Sequence, residues 1–126
     1  MEHKTQYKNL LFEKADPIAK ELFKLTLNFD HKLQFSIGDQ LRRSSLSIVL
    51  NIVEGGARKS PKEKKQFLNI AFGSLKETKY LVYFCHDLKL IEDKVFEEVM
   101  FKINELAKII CLKFYVSCFL FHVICL

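Results

Sequence analysis

Residues that turn or break a chain are scarce in this sequence, with four glycines and two prolines among 126 residues. An all-β chain needs many tight turns, whereas helices joined by short loops need few, so the scarcity favours an all-α domain. Recognisable catalytic patterns are also missing. There is no glycine-rich phosphate loop, no HExxH pair, no nucleophile elbow and no paired carboxylates in an evident pocket. The expected function is therefore non-enzymatic, with no cofactor and no metal. The most apolar stretch, Phe114 to Leu126, is thirteen residues, with Ser117 and His122 its polar members. As a helix it would reach about 20 Å, short of the roughly 30 Å of a bilayer core, so no membrane partner is expected. Met1 to Gln6 is polar and does not read as a signal peptide, which points to the cytoplasm.

Cysteine is limited to Cys85, Cys111, Cys118 and Cys125, the last three spaced by seven residues. On one helix that spacing separates neighbours by about 10 Å. A disulfide needs Cα atoms within about 7 Å, so the cysteines read as small apolar residues. Cys118, His122 and Cys125 suggest metal ligands, but the two sulfurs lie about two helical turns apart and cannot close one tetrahedral site. They read instead as part of a hydrophobic tail.

What the chain does have is an apolar half, 49% of residues, arranged at helical spacing. A first helix is expected from about Asp16 to Phe29, with Asp16 as N-cap and Pro17 at the first position; a continuation upstream through Tyr7, Leu10 and Leu11 stays open. A second is expected from about Ser36 to Gly55, ended by left-handed Gly55 and Gly56, after a loop over residues 28–32. Ser60-Pro61-Lys62-Glu63 combines a capping serine, a first-turn proline and a glutamate at the third helical position, and so starts a third helix. A fourth begins near Glu92 and Asp93, where negative charge suits a helix N-terminus, and stays amphipathic to Lys113. Four such segments predict a single domain over residues 1–126, an antiparallel up-and-down four-helix bundle. Beyond Lys113 the chain is apolar on every side, which suits burial in an oligomer or a poorly ordered sticky end.

Positive charge is concentrated in the middle of the chain. Between Gln40 and Tyr80 nine Lys and Arg face three Glu, while the whole chain carries only +5. Arg42, Arg43, Arg58, Lys59, Lys62, Lys64 and Lys65 flank the connection between the second and third helices. Gathered at one end of the bundle they would attract phosphates by counterion release without reading base sequence. The plainer alternative is a solvated face with ion pairs, such as Arg42 or Arg43 with Glu54 or Glu77. A ring of subunits would multiply the field.

The stretch Gln40-Leu41-Arg42-Arg43-Ser44-Ser45-Leu46-Ser47-Ile48, then Asn51-Ile52-Val53-Glu54-Gly55, then Phe67-Leu68-Asn69-Ile70-Ala71-Phe72-Gly73-Ser74-Leu75-Lys76-Glu77, resembles a bacterial family. It is similar to the four-helix bundle proteins encoded in 23S rRNA intervening sequences, the S23 ribosomal protein family, over residues 7–112. The resemblance implies an up-and-down bundle, a homopentamer and no known enzymatic activity. It also implies kinship with accessory proteins of diversity-generating retroelements, which bind nucleic acid and a reverse transcriptase through a basic surface. Where the family usually carries Pro and a small residue, this chain has Val49 and Leu50. Two functions are expected from this. One is a homo-oligomeric bundle, favoured as a pentamer, binding RNA or DNA through the basic residues. The other is a protein-interaction scaffold using an apolar groove or the C-terminal tail.

Overall fold

The structure is a computed structural model that describes residues 9–114. Of the apolar tail only Phe114 falls among these; Tyr7, Cys118, His122 and Cys125 lie outside the described residues. Helix α1 spans Leu10–Thr26. Helix α2 covers residues 31–57 and is built from a short α turn His31–Leu33, a π-helical turn Gln34–Gly38 and a long α segment Asp39–Ala57. Helix α3 spans Pro61–Asp87 and α4 spans Asp93–Phe114. Each helix packs on the next, and α4 returns to α1. Pairings such as Lys14 with Glu105, Ser47 with Ser74 and Tyr83 with Phe96 make neighbours antiparallel, as an up-and-down bundle requires. The four-helix bundle expected from the periodicity is the fold adopted.

Several boundaries differ from expectation for identifiable reasons. α1 is capped by Asn9, whose side chain accepts a hydrogen bond from the Leu11 N–H at 3.0 Å, and the helix runs through Pro17. Asp16 is not the cap; it sits inside the helix and pairs with Lys20 one turn on. α2 begins at His31, because Phe29 turns into the core and shortens the connection. Gly55 and Gly56 do not terminate α2. Both are helical, no glycine among the described residues has positive φ, and the helix ends at Ala57. The third start is as expected: the Ser60 hydroxyl accepts from the Glu63 N–H at 3.5 Å, with Pro61 in the first turn.

The end of α3 is closed by Lys89, which takes the left-handed conformation at φ 62° that glycine usually fills. The Leu90 N–H donates to the Cys85 carbonyl and the Lys89 N–H to the His86 carbonyl, satisfying the last turn and dropping Ile91 into the core.

Leu11, Ile18 and Leu22 of α1 meet Leu41, Ile48 and Ile52 of α2, Leu75 and Val82 of α3, and Val99, Ile103, Leu106 and Ile110 of α4 in one core. The α2–α3 interface is the most extensive and is partly polar. There Ser44 accepts from Thr78 at 2.9 Å, and Ser47 shares a 2.9 Å hydrogen bond with Ser74. Small hydroxyl residues let these two helices approach closely while satisfying one another across the seam. Cys85 is fully buried in the core, and burial raises its thiol to about 11, so it stays protonated at neutral pH. Cys111 corrects the reading of every cysteine as a plain apolar residue, because it is disulfide-bonded. Among the described residues no helix is long and apolar enough to cross a membrane.

Candidate nucleic-acid interface

The seven basic residues singled out by the sequence divide into two groups that lie far apart. Arg42 and Arg43 sit in the first half of α2, while Arg58 and Lys59 follow its last residue. Sixteen residues of helix separate Arg42 from Arg58, or about 24 Å at 1.5 Å per residue. The expectation that all seven surround one connection therefore holds for Arg58, Lys59, Lys62, Lys64 and Lys65 and not for Arg42 and Arg43.

Arg42 is also turned inward. Its side chain is 16% exposed; one guanidinium nitrogen donates to the Thr26 hydroxyl at 2.9 Å and the other to the Gln34 carbonyl at 2.7 Å. The guanidinium lies 5.6 Å from the Phe23 ring centre, and Asp39 is 3.9 Å away. Those partners come from α1, the π turn and α2, so Arg42 ties the first connection together. Gly38 makes room for it, since a Cβ there would meet Arg42 Nη1 at 3.3 Å and the Leu33 carbonyl at 3.0 Å. Arg43 is 75% exposed and forms a 2.9 Å ion pair with Asp39, not with Glu54 or Glu77. Glu77 instead accepts from Gln40.

At the opposite end of the bundle the picture is different. Arg58 pairs with Glu54 and stacks on the Phe67 ring at 4.9 Å, so its charge is compensated. Lys59, Lys62, Lys64 and Lys65 are exposed, and no carboxylate among the described residues pairs with any of them. The capped start of α3 explains the arrangement: Ser60 and Pro61 set the entry of the helix, and its first turns project lysines around the rim. Lys62 and Lys65 share one face at a spacing of three, while Lys64 falls on the other side. There Lys64 joins Lys113 at a cavity of about 260 Å³ lined by Asn9, Leu11, Ile52, Gly55, Gly56 and Leu68. Lys113 is absent from the sequence-derived set, although the antiparallel order of the helices brings the end of α4 to the start of α3.

Such an end can hold phosphates by charge but carries no fixed donor array that would read bases. The other titratable cluster lies at the far end, where His86 stacks on Phe96 at 3.9 Å and bonds Asp93 at 2.7 Å. That contact holds the Asp93 carboxyl below its ordinary range. No group of three or more His, Cys, Asp or Glu suited to a metal occurs among the described residues.

Comparison with known proteins agrees with this fold. Among curated proteins no sequence match is found. A crystal structure of a protein of unknown function from the S23 ribosomal protein family of Bacteroides thetaiotaomicron superposes with a TM-score of 0.74 at 23% identity, covering 83% of this chain and 97% of that one. The family model for the 23S rRNA-intervening sequence protein matches residues 8–111, nearly the whole described bundle. On that match, this chain belongs to the 23S rRNA-intervening sequence protein family.

Proposed function

We propose that the protein is a non-enzymatic, homo-oligomeric bundle that binds RNA or DNA through the lysine-rich end where α2 passes into α3. The observation that carries this reading is the set Lys59, Lys62, Lys64 and Lys65, exposed and without a carboxylate partner, with Lys113 beside them. Uncompensated charge of one sign is what releases counterions on meeting a phosphate backbone, whereas paired charges such as Arg43 and Arg58 contribute little. The family's name refers to 23S rRNA sequence, which makes RNA the first nucleic acid to test. Leu46, Leu50 and Ile70, each about half exposed along the outer α2–α3 seam, favour association with further copies, and a pentamer would place five lysine clusters around one axis.

Replacing Lys59, Lys62, Lys64 and Lys65 together by Gln should weaken RNA binding at least about tenfold. It should also flatten the salt dependence by roughly 0.7 log units per lost single-strand phosphate contact. Fluorescence anisotropy across a salt series measures both quantities. An unchanged slope would remove these residues from the interface, and partner capture that survives the substitution would favour the scaffold reading.

A further inference from the structure

The basic character does not stop at the lysine-rich end. Lys62, Lys65, Lys76, Lys79, Tyr80 and Tyr83 all lie on α3, and at about 100° per residue they fall within an arc of roughly 100° on its outer side. Between Lys62 and Lys79 this stripe runs about 25 Å along the helix axis. None of the four lysines has a carboxylate partner among the described residues. Lys76 lies over the Phe72 ring at 5.2 Å. Its ammonium is pushed below the ordinary lysine range, first by burial and then by the charge of Lys79.

At the far end of the stripe Tyr80 and Tyr83 are 63% and 52% exposed. Each ring rests against a neighbour, Tyr80 on Phe84 and Tyr83 edge-on to Phe96, which limits its motion while leaving most of it accessible. Gly73, midway along, is a helical glycine with nothing within 4 Å of the place a Cβ would occupy. Helix propensity disfavours glycine there, and no internal neighbour requires it. A side chain is missing at the point where an outside molecule would cross the helix.

Resting on the nucleic-acid reading above, we propose that the outer face of α3 is a binding track for a single-stranded nucleic acid. The lysines follow its phosphates past Gly73, and Tyr80 and Tyr83 take unpaired bases by stacking. Charge complementarity selects the occupant: two pairs of cations without carboxylate partners, Lys62 with Lys65 and Lys76 with Lys79, suit a polyanion and oppose a second copy presenting the same face. Exposed aromatic rings at its end suit unstacked bases, which a duplex does not offer.

The test compares labelled oligouridine, oligothymidine and a duplex of matching length, using the full chain. Lys76→Gln with Lys79→Gln should flatten the single-strand salt dependence by about 1.4 log units. Tyr80→Ala should weaken single-strand binding about fivefold or more and leave duplex binding unchanged, with Tyr80→Phe restoring it. Gly73→Leu, whose Cβ has nothing within 4 Å, should weaken single-strand binding without altering thermal stability downward. The two single-strand probes distinguish RNA from DNA as the source. If the wild type binds no probe, the nucleic-acid reading itself fails. If binding depends on Lys59, Lys62, Lys64 and Lys65 but ignores Lys76, Lys79 and Tyr80, only the track is overturned. A change in subunit number by sedimentation with unchanged affinity in Gly73→Leu would likewise overturn it, by assigning the face to contacts between copies.

Discussion

Arg42→Ala is expected to destabilise the protein by about 3 kcal/mol while the folded variant binds RNA as tightly as the wild type. Both halves of that result come from the same geometry. The guanidinium bridges the Thr26 hydroxyl on α1 and the Gln34 carbonyl in the π turn, at 2.9 and 2.7 Å, from a position only 16% exposed. Hydrogen bonds to a charged group contribute about 1.5–3 kcal/mol each where they are shielded, and truncation leaves the Gln34 carbonyl without this donor. The apolar stem and the Phe23 contact are lost as well. Lysine should not rescue, because one ammonium cannot reach both acceptors with a planar fork. Arg43→Ala, which removes a largely exposed one-turn ion pair to Asp39, should cost well under about 1 kcal/mol. Urea unfolding of the two variants side by side reads the difference. A weakened RNA affinity in folded Arg42→Ala would return Arg42 to the interface.

That contrast marks where the sequence was informative and where it was not. Charge density was legible, since the excess of Lys and Arg between Gln40 and Tyr80 does become a lysine-rich surface. Partnering was not, because Arg42 and Lys62 look alike until the neighbours of each are known. The separation of Arg42 from Arg58 was available in principle: a helix from Ser36 to Gly55 is already long enough at 1.5 Å per residue to carry its two ends apart. Proximity along the chain is a poor guide to proximity in space once the intervening residues are rigid.

The same division runs through the fold. The Ser60-Pro61-Lys62-Glu63 start of α3 was legible because a cap is decided within four residues by local hydrogen bonding. The end of α3 was not, because Lys89 adopts the left-handed conformation that composition alone assigns to glycine. The Gly55-Gly56 pair misled in the opposite sense. Two glycines in succession read locally as a stop, yet the helix continues through both, and the reason for at least one of them lies across the α2–α3 interface.

Gly55 and Gly56 should therefore respond to substitution with opposite signs. A Cβ on Gly55 would stand 3.0 Å from Phe67 Cβ and 3.6 Å from the Lys64 carbonyl. The first of these is anchored directly to the α3 backbone and cannot swing aside as a side-chain tip could. Gly55→Leu has to force α3 away from α2, at about 3 kcal/mol by the usual scale of overpacking. Gly56 has nothing within 4 Å and is exposed, so Gly56→Ala should stabilise by about 0.5–1 kcal/mol through the unfolded chain's lost freedom and better helix propensity. For 126 residues each kcal/mol moves the midpoint by roughly 4 °C, so thermal unfolding should separate the pair by about 12 °C or more. The displaced segment is the one that bears Lys62, Lys64 and Lys65, and Gly55 itself lines the cavity shared by Lys64 and Lys113. RNA affinity should consequently fall in folded Gly55→Leu and hold in Gly56→Ala. Equal stabilisation by alanine at both positions would mean that the seam yields freely, and that the lysines at its end owe their placement to something other than the close contact of α2 with α3.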